Sequence, residues 1–326
     1  MRDAMDTANI ALYAGGPLGP KAIGGYLRPT QQAGWTTIIL GLFHIGNPKF
    51  GQQKLGDIIF NDPPAIISDG KYQADPSWPG NVAKLKQGSS ITKIYASVGG
   101  GPPVVDFATI AKIYEDNGGS FSGTALEANF QVLRTQFPAI DGIDMDCEET
   151  YDQTSFVAFC RMLTAMGFSL TFCPYDQTSF WTGALSALEK VEPGVVKWWN
   201  LQCYDGGTGN DPGDWADAIT KAIPGFSTDG YVVAGDWSRW YNTDIDSWEG
   251  DCPSSVTSLI SSFSKEPALG GGFIWNMDAI LKYGPDPAGC GQAESMADYV
   301  KAVANAMGSG LETSGAKRSA GSTPSP

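Results

Sequence analysis

The chain contains little histidine and comparatively few basic residues. His44 is the single histidine among 326 residues, and 21 Lys and Arg are outnumbered by 35 Asp and Glu, which gives a formal net charge of −14. A surface this acidic argues against nucleic acid or an anionic membrane as the main partner, and it is compatible with neutral ligands such as sugars. His44 ends an apolar stretch, where a packed or pore-lining role accounts for it better than catalysis.

Long apolar runs and metal-binding patterns are also absent. No run of about 18 apolar residues exists, so no membrane span is predicted. The six cysteines form no zinc pattern such as CxxC. Cys252 and Cys290 lie in predicted loops and could pair. The other four lie in predicted strands or a helix and are expected to be buried free thiols: Cys147, Cys160, Cys173 and Cys203. The N-terminus lacks the apolar stretch of a signal peptide, so the protein is either cytoplasmic or has lost a leader.

Short apolar segments recur along the chain, and several are continuous apolar runs, as parallel strands buried on both faces should be. Eight strands are predicted, at 9–14, 36–43, 92–98, 140–146, 169–173, 198–204, 231–234 and 272–275. Between residues 46 and 90 the connection is long, and a small hairpin at 57–60 and 65–68 is expected there before a helix near 82–85.

Helical patterns separate many of these strands. Apolar side chains repeat at three- and four-residue intervals in four stretches, at 126–137, 156–166, 215–222 and 296–307. Thr124 with Glu127 predicts a capping box at the start of the first of these helices. Ser295 is expected to be the N-cap of the last helix, and Gly308 its stop.

Eight strands with helices between them predict an α/β fold, a single (β/α)8 barrel of the TIM type. A doubly wound sheet remains the alternative on pattern alone. Residues 1–307 are expected to form this single barrel. Residues 308–326 are rich in Gly, Ser, Thr, Ala and Pro and predict a disordered, low-complexity C-terminal tail.

The most informative segment is the acidic fourth strand. Because successive strand side chains point to opposite faces, Asp144, Asp146 and Glu148 share one face, while the intervening apolar residues share the other. In a barrel this directs three carboxyl groups to the axis, with Glu148 nearest the C-terminal mouth where barrel active sites lie. Three acids so close cannot all ionise cheaply, so at least one should keep the proton that a general acid needs.

Cation binding and solvent exposure account for this acidic strand less well. A calcium loop needs Gly at its sixth position, where Asp146 stands. A magnesium site is conceivable, but no second ligand cluster stands out. A solvated acidic face conflicts with Ile140, Ile143 and Met145, which place the segment in a core strand.

At this point the sequence resembles glycoside hydrolase family 18, the chitinase family. Asp141, Asp144, Asp146 and Glu148 match the family's D-x-x-D-x-D-x-E signature of the fourth barrel strand. Four further segments agree in order: Ile-Ala-Leu-Tyr at 10–13, Ser-Val-Gly-Gly at 97–100, Gln-Cys-Tyr-Asp at 202–205 and Gly-Gly-Phe-Ile-Trp at 271–275. They are closest to the plant, hevamine-like branch. The segments 172–176 and 236–241 depart from that branch, which affects the sugar subsites more than the chemistry.

The resemblance implies a role for each residue of the central site. Glu148 would protonate the leaving oxygen and later activate water. Asp146 would hold the acetamido N–H group of the sugar, and Asp144 would share a proton with Asp146. Tyr204 would hydrogen-bond the acetamido carbonyl group, and Trp275 would lie under the sugar on the non-reducing side of the cut.

Further residues are candidates for binding or structure. Gln202, Asp205 and Tyr13 are possible sugar contacts, although core packing or a buried hydrogen bond accounts for each equally well. Trp237 could line a subsite beyond the cut, and ordinary loop packing accounts for it equally well. Two groups complete the set: Gly99 and Gly100, for a tight strand exit or close approach to a sugar, and the structural candidates Asp141 and Ser97.

The implied activity is hydrolysis of β-1,4 linkages between N-acetylglucosamine units, with retention and an oxazolinium intermediate, in which the nucleophile is the sugar's own acetamido oxygen. The alternatives are an endo-β-N-acetylglucosaminidase acting on N-glycans and a chitinase-like lectin that does not cut. No metal or organic cofactor is implied. A monomer is expected, without nucleic-acid or membrane partners, and the resemblance suggests an extracellular location. The short connection at 236–271 predicts an open groove and endo-type cutting.

Overall fold

The protein is a closed barrel of eight parallel strands surrounded by helices. The computed structural model describes residues 8–49, 51 and 53–308, and the tail expected from the sequence lies outside this range apart from Gly308. Around the barrel the strands follow the order 9–14, 269–275, 232–237, 196–202, 169–172, 142–147, 93–100 and 37–45. Pairing of the first of these with the last closes the ring. The predicted (β/α)8 fold is therefore confirmed.

Each barrel strand lies within three residues of its predicted position. The strands are β1 Asn9–Ala14, β2 Thr37–Ile45, β6 Lys93–Gly100, β7 Gly142–Cys147, β8 Ser169–Phe172, β9 Val196–Gln202, β10 Val232–Trp237 and β13 Leu269–Trp275. Because all eight run in parallel, their C-terminal ends meet at one mouth of the barrel.

Helices cover the outside of the barrel. They are α1 Ile23–Ala33, α2 Trp78–Lys84, α3 Asp106–Asp116, α4 Ala125–Gln136, α5 Gln153–Ala165, α6 Thr178–Glu189, α7 Pro212–Ala222, α8 Pro253–Ser262, α9 Met277–Tyr283 and α10 Met296–Ala306, with short 3₁₀ turns at Gly16–Leu18 and Asp205–Gly207. The four predicted helical stretches correspond to α4, α5, α7 and α10, and their apolar stripes face the core. Among the described residues, none of the helices is both long and apolar enough to span a membrane.

Helix starts agree with the sequence in one case and differ in detail in the other. Ser295 and Asp298 form a reciprocal capping box at α10. At α4, the Thr124 hydroxyl accepts a hydrogen bond from the Glu127 backbone N–H, at 3.2 Å. The Glu127 carboxylate accepts from the N–H of Gly123 instead of Thr124, at 2.8 Å, so this capping box is displaced by one residue.

Two small β elements lie outside the barrel ring. The predicted hairpin between residues 46 and 90 is present as β3 Ile58–Phe60 and β4 Asp62–Ser68, followed by the short β5 Lys71–Tyr72. A second hairpin, which the sequence pattern did not predict, consists of β11 Trp240–Asn242 and β12 Ser247–Glu249. It follows β10 directly, so it lies at the mouth of the barrel.

The cysteines divide as expected from their positions. Cys252 and Cys290 form a disulfide with a Cα–Cα distance of 5.8 Å, which lies in the usual range for such bonds. The prediction of buried free thiols is confirmed for the other four, Cys147, Cys160, Cys173 and Cys203. The disulfide links the start of α8 to the loop before α10.

The contact between β6 and β7 is unusually close where both strands reach the mouth. Gly99 pairs with Asp146 in the parallel register. A Cβ atom on Gly99 would lie 2.0 Å from the backbone oxygen of Asp146, and the φ angle of Gly99 is +116°, which side chains disfavour. Gly99 is therefore required by the approach of the two strands, and it fixes the position of the acidic strand.

We predict that Gly99→Ala lowers the free energy of unfolding by about 3 kcal/mol or more, because the clash with backbone atoms adds to the cost of the positive φ angle. Gly118→Ala is the matched control, since Gly118 also has a positive φ, of +68°, but has open space where a Cβ atom would lie. Denaturant unfolding measures both. Equal losses in the two variants would contradict the role of the β6–β7 contact.

Candidate active site

The three acids predicted from the β7 spacing do converge at the mouth. Asp144 is completely buried, Asp146 is 4% exposed, and Glu148 follows the strand in a half-buried position. Asp144 is therefore the deepest and Glu148 the outermost of the three.

Asp144 accepts four hydrogen bonds from four other barrel strands. Its Oδ1 atom accepts from the Thr171 hydroxyl at 2.6 Å and from the Asn200 amide at 2.9 Å. Its Oδ2 atom accepts from the Tyr13 and Ser97 hydroxyls, each at 2.8 Å. Four donors occupy the acceptor sites of a carboxylate, so no position is left for a proton. Burial raises the pKa of Asp144 above its usual value, and these hydrogen bonds offset part of that rise. The four donors therefore favour the ionised form of Asp144.

Asp146 and Glu148 form a coupled pair above this fixed charge. Burial, followed by the negative charges of Glu148 and Asp144, raises the pKa of Asp146 well above its usual range. Burial also raises the pKa of Glu148. The Gln202 amide bridges the two groups, at 3.3 Å from Asp146 Oδ1 and 3.2 Å from Glu148 Oε1. Both shifts favour the protonated form, so the pair keeps a proton to higher pH than free carboxyl groups do.

A cavity of about 470 Å³ opens above the pair. Of the candidate residues, eight line it: Gly100, Asp146, Glu148, Gln202, Tyr204, Asp205, Trp237 and Trp275. A further group, not singled out from the sequence, also lines it and includes Gly101, Ser238, Asn276, Asp278, Lys282 and Tyr283. Ser238 and Asn276 directly follow β10 and β13, whereas Asp278, Lys282 and Tyr283 belong to α9, a short helix that was not predicted from the sequence.

Aromatic rings form much of the cavity surface. Tyr204 and Trp237 are stacked, with ring centroids 5.9 Å apart and an interplanar angle of 22°. Trp275 ends β13 and packs on Tyr13 at 5.4 Å. Burial raises the pKa of Tyr204 well above its usual range, so its hydroxyl group remains a hydrogen-bond donor at neutral pH.

The remaining candidates lie below or beside this cavity. The hydroxyl groups of Tyr13 and Ser97 donate hydrogen bonds to Asp144. Of the roles considered for Tyr13, the buried hydrogen bond is therefore present. Gly99 provides space for β7 and does not line the main cavity. Asp141 lies on the opposite side of the strand, where it pairs with Lys86 at 2.7 Å and accepts from the Ile94 N–H at 2.8 Å.

Three supporting residues were missed from the sequence. Thr171 and Asn200 hold Asp144, and Cys173 lies at 3.1 Å from the Tyr13 hydroxyl and 3.7 Å from the Gln202 amide. Thr171 and Asn200 are polar residues inside largely apolar strands. A buried polar residue normally has a specific partner, so this was a usable signal.

Buried acid groups continue at the base of the second hairpin. Asp236 is 1% exposed, and its Oδ1 atom accepts a hydrogen bond from the Trp237 N–H at 2.9 Å. Burial, followed by the negative charge of Asp251, raises the pKa of Asp236 to about 8. Asp236 is therefore protonated below that pH in the folded protein.

Among the described residues, one group has the spacing of metal ligands, and it consists of Cys252, Cys290 and Glu294. Both sulfur atoms of this group belong to the disulfide, so they are not available as thiolate ligands.

Comparisons with known proteins identify the fold. No family model and no curated protein matches the sequence. Solved structures do match, at low identity. A glycoside hydrolase family 18 chitinase from Pseudoalteromonas aurantia has a TM-score of 0.59 and 13% identity, with 92% of this chain and 100% of the other covered.

Two further chitinase structures give the same result. The catalytic domain of a family 18 chitinase from the fern Peteris ryukyuensis has a TM-score of 0.53 at 16% identity, covering 91% of this chain and 98% of the other. The catalytic domain of a hyperthermophilic chitinase from Pyrococcus furiosus has a TM-score of 0.57 at 11% identity, covering 94% of this chain and 97% of the other. The chain thus has the fold of family 18 chitinases, as the resemblance implied. At these identities, the hevamine-like branch remains a prediction.

We predict that Asp236→Asn removes a loss of stability that the native protein shows as pH rises. The folded chain keeps the Asp236 proton up to about pH 8, whereas the unfolded chain releases it near the usual value of 3.8. Its contribution to stability is therefore complete below pH 4 and is lost as pH rises towards 8. Between pH 5 and 8 the free energy of unfolding should fall by less in the variant than in the native protein. The difference should be at least about 1.4 kcal/mol, the equivalent of one pKa unit.

Denaturant unfolding at the two pH values measures this difference. Asp244 is exposed at the tip of the same hairpin, so Asp244→Asn should keep the pH dependence of the native protein. A native-like dependence in Asp236→Asn would show that Asp236 is not the group responsible.

Proposed function

We propose that this protein is a retaining glycoside hydrolase that cleaves β-1,4 linkages between N-acetylglucosamine units, with Glu148 as the catalytic acid. The proposal is carried by one observation: three carboxyl groups follow one strand from the barrel axis to the cavity, with the one that accepts four hydrogen bonds at the bottom and the two that line the cavity at the top. Burial raises the pKa of both upper groups, which suits a general acid. The chitinase fold of the solved structures supports it.

In the first step, the proton of the Asp146–Glu148 pair is on Glu148. Glu148 donates it to the glycosidic oxygen as the bond from that oxygen to C1 breaks. The carbonyl oxygen of the sugar's own acetamido group attacks C1 and forms an oxazolinium ion, so the enzyme supplies no nucleophile. Family 18 is a known exception to the usual carboxylate nucleophile.

Asp146 and Tyr204 orient the acetamido group in this scheme. With its proton moved to Glu148, Asp146 is a carboxylate that accepts a hydrogen bond from the acetamido N–H group and offsets the positive charge of the oxazolinium ion. Tyr204 donates a hydrogen bond to the acetamido carbonyl oxygen, and Trp275 lies under the sugar ring. The fixed Asp144 charge beneath Asp146 favours the state with one proton on the pair.

In the second step, the Glu148 carboxylate takes a proton from a water molecule that attacks C1. The oxazolinium ring opens, the acetamido group is restored, and the new hydroxyl group has the original anomeric configuration. Glu148 is then protonated again for the next cycle. Because the acetamido group is the nucleophile, chitin, peptidoglycan-type chains and N-glycan cores qualify as substrates, and cellulose does not.

An extracellular location is part of the proposal. Disulfides persist in oxidising compartments, and the Cys252–Cys290 bond supports a secreted protein that acts on a polymer outside the cell.

Glu148→Gln should reduce kcat on N-acetylglucosamine oligomers by several orders of magnitude, because an amide cannot donate the proton. Affinity for the same oligomers should be retained, since Gln has nearly the shape of Glu. Hydrolysis is measured by product chromatography and binding by calorimetry. Cello-oligosaccharides of equal length serve as the substrate control and should not be cut.

The control variant is Glu115→Gln, which changes an exposed carboxyl group of α3 that does not line the cavity. It should keep native turnover. Unchanged turnover in Glu148→Gln would refute the mechanism, and binding without turnover by the native protein would favour the lectin alternative.

We also predict endo-type cutting in an open groove. Between β10 and β13, the chain holds the small β11–β12 hairpin and α8. That segment lacks space for a larger domain that would enclose the polymer. Early digests of soluble chitin should contain mixed oligomers, measured by mass spectrometry. Early release of disaccharide alone would contradict this prediction.

A further inference from the structure

The cleft extends to both sides of Trp275. A second cavity of about 260 Å³ lies beside the first and is lined by Gly15, Asn61 and Asp62 among others. The two cavities share Leu42, Trp275, Asn276 and Asp278. A linear polymer that crosses Trp275 can therefore have one end in the second cavity and the other end along the far wall of the first.

The far wall is formed by the hairpin loop, residues 237–252, which comprises β11, β12 and their flanks. Trp237 and Trp240 from this loop line the main cavity together with Tyr283 from α9. The two tryptophan rings are in edge contact, with centroids 6.2 Å apart. Both are half-buried, so each has a ring surface facing the cavity.

The hairpin loop is attached to the end of α9 and the segment that follows it by a buried cation. Arg239 is 2% exposed and donates hydrogen bonds to the backbone oxygens of Tyr283, at 2.8 Å, and Asp286, at 2.6 Å. Its guanidinium group lies 4.3 Å from the centre of the Trp248 ring and 3.7 Å from the Glu294 carboxylate. Burying a charge is costly unless it is paired, so this arrangement favours one position of the hairpin loop.

Covalent and backbone contacts fix its base. The Cys252–Cys290 disulfide joins the end of the hairpin loop to the segment that contains Glu294 and Asp286. Ser238 donates its backbone N–H to the Trp275 oxygen at 2.6 Å, and its hydroxyl group accepts from the Asn276 N–H at 3.2 Å. The hairpin loop and the residue under the sugar are thus held in a single unit.

We propose that the hairpin loop binds the sugar units next to the one on Trp275, and that the disulfide keeps its aromatic side chains in the binding position. This inference rests on the proposed function and specifies its substrate: a chain of N-acetylhexosamine units long enough to reach Trp240. Aromatic rings suit this role because they offer a rigid apolar surface for the apolar face of a pyranose ring at small entropic cost.

The aromatic contact predicts a dependence on substrate length. A unit that stacks on Trp240 strengthens the binding of a long oligomer and is absent from a short one. Trp240→Ala should raise KM for the N-acetylglucosamine hexamer about tenfold, a typical value for one aromatic contact. KM for a disaccharide with a small chromogenic leaving group should change less than about threefold, and kcat should stay near the native value.

The Cys252→Ser, Cys290→Ser double variant should show the same selective loss. Circular dichroism and the unfolding temperature establish that it is folded at the assay temperature. If it is not, Trp240→Ala alone decides the question of the binding surface. Tyr26→Ala is the matched control, because Tyr26 is an exposed aromatic residue on α1, and it should leave both substrates unaffected.

The outcomes distinguish the two proposals. Suppose that the native protein cleaves the oligomers. If Trp240→Ala then leaves KM for the hexamer unchanged, or raises KM equally for both substrates, the hairpin loop is not a binding surface. If KM for the hexamer rises selectively in Trp240→Ala but not in the folded double variant, the disulfide does not have the proposed role. If the native protein cleaves neither substrate, the proposed function fails, and calorimetry with the hexamer against the same variants still tests the binding surface.

Discussion

The buried carboxylate of Asp144 connects five strands of the barrel. It belongs to β7 and accepts hydrogen bonds from side chains of β1, β6, β8 and β9. Hydrogen bonds to a charged group contribute more than neutral ones, about 1.5–3 kcal/mol each, and losing one partner leaves a buried charge less well compensated. The same carboxyl group lies beneath Asp146 and helps to raise its pKa, which is what the proposed acid catalysis requires. One interaction therefore serves the closure of the barrel and the chemistry of its mouth.

The acidic site was predictable because strand geometry has a fixed period. The alternation of Asp144, Asp146 and Glu148 with apolar residues was sufficient to place three carboxyl groups on one face. Their partners were less accessible. Thr171 and Asn200 reach Asp144 only because β8 and β9 lie in a particular register beside β7, and a single sequence does not state that register. The resemblance implies a proton shared between Asp144 and Asp146, and this remains a prediction; in the structure, Asp144 accepts four hydrogen bonds, and the Gln202 amide lies between Asp146 and Glu148.

The fold shows the same division between periodic and non-periodic segments. The barrel strands and the helices α4, α5, α7 and α10 were predicted within a few residues, whereas α3, α6, α8 and α9 were not predicted. Helix α1 was not predicted, since Gly24, Gly25 and Pro29 lower its intrinsic propensity and packing of Ile23 and Thr30 compensates. The β11–β12 hairpin has strands of three residues, too short to show an alternation. It is positioned by tertiary contacts of Arg239, which no local pattern reveals.

The closure of the barrel also determines when its centre can form during synthesis. The first strand lies between β2 and β13, with Asn9 opposite Gly271 and Ala11 opposite Thr37. Contacts between such distant parts of the chain form slowly, because a long loop must first be ordered. During synthesis, Tyr13 lacks its contacts with Phe273 and Trp275 until about 260 later residues have left the ribosome (275 − 13 = 262). Until then, the edges of β1 and β10, the two neighbours of β13, lack their partner strand, and exposed strand edges make a folding intermediate prone to aggregation.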